Sequence, residues 1–168
     1  MANSTLTPTE ITNLIGELEF HKYLVAITLT GGTATSLGPL KTAPKCEPDV
    51  ETKDTTIYET GSEVQASILS KNDVKLTIET ENVDDAITLL AGFSKGDNIL
   101  ASTSKYTITL VPITSDATAK TITFTNAYLN PGLSTNLQDA DDPNSVTLTF
   151  NCKSDPTTGK PYTFAVQS

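Results

Sequence analysis

Short runs in which every second residue is apolar recur along the chain, and they constrain its fold more than any other feature. Tyr23, Val25, Ile27 and Leu29 share one parity, as do Val74, Leu76 and Ile78, Tyr106, Ile108 and Leu110, and Val146, Leu148 and Phe150. Period two is the signature of a strand with one buried face. Ile122 with Phe124, and Tyr162 with Phe164 and Val166, mark two further strands of the same kind. Some thirty threonines, stiff at χ1, reinforce the reading, because β-branched residues suit a pleated, half-buried surface. A mostly β chain, built as one sandwich or barrel over residues 1–168, is therefore expected.

Two segments break the period. Val83, Ala86, Ile87 and Leu90 fall on a helical stripe, Asn82 or Asp84 can cap it and Gly92 can stop it, so a helix is expected from Val83 to Ala91. At the N-terminus, Thr7-Pro8-Thr9-Glu10 has capping-box spacing, with Ile11, Leu14, Ile15 and Leu18 at helical intervals behind it. That segment reads either as a helix from Pro8 to about Ile15 or as an extended arm that orders on a partner. The phase slip at His21 and Lys22 reads as a β-bulge in a long first strand. Residues 31–60 read as a long charged loop, rich in Pro, Lys and carboxylates, with Asp49 to Glu59 able to supply one strand of a protruding hairpin. The stretches Asp116 to Lys120 and Asp155 to Lys160 read as hairpin turns, Gly159 supplying positive φ in the second.

Composition excludes several functions. Twenty acidic residues against eleven lysines and no arginine give a net charge of −9, which removes the usual bidentate reader of guanine and disfavours sequence-specific nucleic-acid binding. No apolar run approaches the roughly 18 residues that would span a bilayer, and no basic start with an apolar core marks a secretory leader. His21 is the lone histidine, without a nucleophile motif beside it. Cys46 and Cys152 form no CxxC; Cys152 continues the buried parity of Phe150, and Cys46 sits in a Pro-flanked loop as the more exposed thiol. Asp139, Asp141 and Asp142 cluster as a hard cation would need, but Pro143 and Asn144 break the EF-hand pattern. No catalytic residue, metal or cofactor is expected.

The order of these elements, together with certain segments, resembles the tail tube proteins, or major tail proteins, of long-tailed bacteriophages. The segments are Asn13-Leu14-Ile15-Gly16, Leu37-Gly38-Pro39-Leu40, Thr60-Gly61-Ser62-Glu63, Val74 to Glu79 running into the helix, Ile122 to Leu129, and Ser145 to Phe150. The resemblance implies a β-sandwich-like subunit with a flanking helix that forms rings, usually of six, stacking into a hollow tube for genome delivery. It implies a virion protein assembled in the bacterial cytoplasm, partnered by copies of itself and other tail proteins, with DNA passing non-specifically and no membrane insertion. In such families the long loop and terminal arms carry ring-to-ring contacts. Here those are Lys41, Lys45, Glu47, Asp49, Glu51 and Lys53 in the loop, and Ile11, Leu14 and Ile15 in the N-terminal arm. An acidic wall would also suit a conduit, since a basic lumen would hold phosphates. The alternatives are another virion β-protein, such as a capsid decoration protein or a related tail component, and a carbohydrate-binding sandwich, which the absence of Trp disfavours.

Overall fold

The computed structural model describes residues 22–56, 64–114, 119–136 and 144–166. Its strands are β1 Lys22–Leu29, β2 Ala34–Ser36, β3 Lys45–Thr56, β4 Val64–Thr80, β5 Lys105–Ile113, β6 Lys120–Asn130, β7 Thr135–Asn136, β8 Ser145–Cys152 and β9 Thr163–Val166, with one helix, α1, at Val83–Ala91. The strands form one antiparallel sheet in the order β2-β1-β5-β6-β8-β4-β3; β7 pairs with β8, and β9 with β6. This is the mostly β fold that the period-two runs predict.

The sheet curls until its first and last core strands are joined by the segment 37–41. The Leu37 amide donates to Val25 of β1 at 3.0 Å, and four residues on, the Lys41 amide donates to Glu79 of β4 at 3.0 Å. Thr80, fully buried, reinforces the join: its hydroxyl proton serves the carbonyls of Leu37 and Pro39, and its oxygen accepts from the Asn82 amide. Inside lie the residues of the shared parity, Val25, Ile27, Leu76, Ile78, Ile108, Leu110, Leu148 and Phe150, in one cluster. Tyr106 meets Phe150 edge-on at 5.9 Å. A bulge lets β6 keep its apolar side inward past Thr125 and Asn126, since Ile108 opposes Phe124 while Tyr106 opposes Ala127.

Helix α1 has the expected bounds. The Asn82 side chain accepts from the Asp85 amide, and Ala86 and Leu90 reach the core. Two details differ. Ile87 stays exposed and Leu89 packs partly instead, which rotates the buried stripe. Gly92 ends the helix in right-handed geometry, its amide bonding Leu90.

Three expectations require correction. Residues 31–60 are not one loop: β2 and the twelve residues of β3 lie within them, although β3 carries Pro48 and a run of charges. An edge strand tolerates both, because one side of its backbone needs no partner. Tyr162, Phe164 and Val166 are not core residues: all three are exposed, Phe164 at 58%, because among the described residues β9 pairs only with β6 and no second layer covers it. The turn 155–160 forms with Gly159 at φ +67°, but the strands on either side of it, β8 and β9, do not pair with each other. The N-terminal helix, the bulge at His21 and the Asp139 to Asp142 cluster fall outside the described residues.

Candidate assembly surface

Strand β4 leads two lives. Its residues 74–80 lie between β8 and β3, whereas residues 64–73 pair, among the described residues, with β3 alone and continue as a two-stranded ribbon. Ala66 to Ser70 and Glu51 to Thr55 are all exposed, so both faces of this ribbon are open. A bulge at Ser70 resets its faces: Glu51 opposes Lys71, but the next residue, Thr52, opposes Leu69. Ile68 consequently shares a face with Lys71 and Asp73 instead of with Val74, despite its even parity, and it is 59% exposed.

One face of β3, running from the sheet onto the ribbon, gathers five of the six loop residues singled out from the sequence: Lys45 and Glu47 lie beside the sheet half of β4, and Asp49, Glu51 and Lys53 on the ribbon. Lys45, Glu47, Asp49, Glu51 and Lys53 alternate along β3, opposite Thr77, Lys75, Asp73, Lys71 and Ile68. Charges of both signs interlock there. Lys45 reaches Glu47 at 2.9 Å, and Lys71 bridges Asp49 at 2.8 Å and Glu51 at 3.6 Å. The Lys45 hydrogen bond and charge, with Lys75 nearby, hold the Glu47 carboxyl below its ordinary value. The Asp49 hydrogen bond raises Lys71. Lys41 does not join this face; it lies in the segment that closes the barrel.

The root of the ribbon is anchored. Asp49 and Asp73 stand directly opposite each other, a like-charge pair that would repel if each lacked its own cation. Lys71 serves Asp49, and Lys153 serves Asp73 at 2.9 Å, where the Ser154 amide and hydroxyl also donate. Burial pushes the Asp73 carboxyl up, but the Lys153 and Ser154 bonds outweigh it and hold the group below its usual value. Asn72 adds a bond from its side-chain amide to the Gly159 carbonyl at 3.0 Å. Sequence reading missed Asp73 and Lys153, because nothing local links residues 80 positions apart; the only signal was a charged residue beside the buried run that starts at Val74.

Of the two thiols, Cys152 is buried and Cys46 exposed, as their settings predict. Burial first, then Cys46 and Asp73 nearby, push Cys152 up to about 12, so it is no nucleophile at neutral pH. Among the described residues no three His, Cys, Asp or Glu side chains gather as a metal would need, and no helix is long and apolar enough to cross a membrane. His21 lies outside the described residues, as do Ile11, Leu14 and Ile15.

No protein-family model and no curated protein matches the chain. Solved structures do. The chain is similar to the anti-feeding prophage cap, a tube-terminating cap, with a TM-score of 0.50 and 13% identity over 90% of this chain and 93% of that one. It is also similar to the sheath/tube terminator of an extracellular contractile injection system, PVC, in its extended state, with a TM-score of 0.48 and 15% identity over 90% and 99% of the two chains. At such identities the likeness to the cap is one of fold, and it extends over nearly the whole of both chains.

Proposed function

We propose that this protein is a structural subunit of a phage tail or a tail-like injection particle, which assembles with copies of itself into rings, six to a ring, on or within a hollow tube. The observation that carries the reading is the fold shared with a tube-terminating cap over 90% of the chain. The ribbon supports it. A two-stranded projection with open faces, continuing a strand edge along which charges of both signs interlock, is suited to meeting an equivalent surface, because each Lys and each carboxylate can exchange an internal partner for an external one. Lys45, Glu47, Asp49, Glu51 and Lys53 are assigned to the ring-to-ring contact, and Ile11, Leu14 and Ile15 of the N-terminal segment to a neighbouring subunit.

Within this reading, two places in the particle differ in what they demand. A subunit of the tube wall stacks on both sides; a terminal ring stacks on one. The likeness to a tube-terminating cap favours the terminal position over the wall. In either place the role is mechanical, and the protein lies in the virion or particle after assembly in the bacterial cytoplasm. Negative-stain electron microscopy of the concentrated protein tests the proposal. Discrete rings support a terminal ring, long hollow filaments support a wall subunit, and a monodisperse monomer at every concentration rejects both.

A further inference from the structure

Lys41 stands apart from the other lysines. Its ammonium nitrogen is closed off from solvent, and it meets no hydrogen-bond acceptor among the described residues. An unpaired buried cation is costly, and a chain selected only for the stability of its subunit would carry an apolar residue there. Lys41 also lines a groove of about 550 Å³ whose other walls include Tyr23, Leu24, Pro39, Leu40 and Ile113. Leu24 and Ile113 are each about half exposed on its rim. The groove therefore offers apolar walls and one cation on a flexible four-carbon stem, able to swing toward a carboxylate that enters.

We infer that this groove receives the N-terminal segment of a second copy of the chain, with Lys41 pairing a carboxylate of that segment. The inference rests on the self-assembly proposed above. Residues 1–21 carry the matching chemistry: Ile11, Leu14, Ile15, Leu18 and Phe20 for the walls, and Glu10, Glu17 and Glu19 for the cation, with no lysine to compete. The segment ends where the groove begins, since β1 starts at Lys22 and Tyr23 and Leu24 form the wall. To enter its own groove the chain would have to turn back ahead of β1, whereas entry into a neighbour's groove needs no reversal, and in a closed ring every groove has a neighbour to fill it.

The inference predicts opposed effects of one substitution. Lys41→Met should leave the monomer's melting temperature unchanged or raised, because an unpaired charge is removed, while raising the critical concentration for assembly at least tenfold. Lys41→Arg should assemble nearly as the wild type does. A full-length chain carrying Glu10→Gln, Glu17→Gln and Glu19→Gln should match Lys41→Met, and combining the two should weaken assembly no further, since both remove the same pair. Sedimentation velocity across a concentration series, with thermal melts of the dilute monomer, reads all four. Assembly by Lys41→Met at the wild-type concentration overturns the inference and leaves the proposed function standing, as does full additivity of the two sets. A wild-type chain that never associates removes both.

Discussion

The two halves of β4 belong to one unbroken strand, yet they differ in everything that matters for stability. In residues 74–80 every second side chain is sealed in the core; in residues 66–70 every side chain is exposed. Local propensity does not separate them, for Val64, Ala66, Ile68 and Leu69 are as apolar as Val74, Leu76 and Ile78. What separates them is a second layer. The barrel half shares one core cluster with residues of β1, β5 and α1, while the ribbon half has β3 beside it and, among the described residues, nothing above or below. Burial here is a property of topology, and the ribbon's apolar residues are left available to a neighbour.

Leu148→Ala against Ile68→Ala is the sharpest way to break this comparison. The first removes a fully buried side chain and should cost about 3 kcal/mol, lowering the melting temperature by roughly 6–12 °C. The second should change stability by less than about 0.5 kcal/mol. Similar melting temperatures for the two variants would show that the ribbon is covered within the subunit.

At the boundary between the halves, Asp73→Asn should cost roughly 2 kcal/mol, through the lost ion pair and the Ser154 bonds. Its pH dependence has a definite sign. Because the folded state holds Asp73 below its ordinary value of 3.8, the stabilisation is complete above that value and disappears as pH falls through the lower, folded one. The wild type should thus lose stability steeply below about pH 4, while the Asp73→Asn variant should show a shallower decline. Equal slopes in acid denaturation would remove Asp73 from the account.

Gly159→Ala tests the turn that Asn72 ties to the ribbon's root. A Cβ there meets nothing within 4 Å, so the cost is that of positive φ alone, about 1 kcal/mol. The smallest effect on folding belongs to Lys45→Glu, whose pair with Glu47 is exposed and screened by solvent. Its effect should fall on assembly. With −9 on each subunit, repulsion between rings dominates the weak exposed pairs, and moderate salt should speed growth. Lys45→Glu should slow growth most at low salt. Light-scattering curves that fall steadily with added salt would mean that ion pairs hold the contact instead.

Where a strand has one wet face, its alternation wrote it into the sequence: β1, β5 and β8 and the bounds of α1 were legible because each turns its own apolar stripe to the core. β3 was only half legible. Lys45 to Thr56 has the composition of a loop, and its strand is imposed by the ladder with β4. β9 misled for the opposite reason, having the alternation of a core strand and no layer to bury it. The face that unites Lys45, Glu47, Asp49, Glu51 and Lys53 followed from spacing once β3 was a strand. Lys41 fell away from it because the segment 37–41 leaves the strand to close the barrel, and the Asp73 to Lys153 pair depends on a contact between distant segments that no local pattern announces.

That closing segment has a dynamic consequence. Among the described residues, every other pair of neighbouring core strands is joined by a ladder of several paired residues, but β1 and β4 only through the few bonds of Leu37, Pro39, Lys41 and Thr80. The wall of the barrel has one weak line along its length, and local opening should begin there before any strand is released. The amide protons of Leu37, Lys41 and Glu81 should exchange with deuterium faster than those of Leu76, Ile108 and Leu148, at temperatures where the subunit as a whole stays folded. Since Lys41 sits on that line, anything that grips it from outside would slow the exchange of all three, making the weak line a gauge of whether the groove is filled.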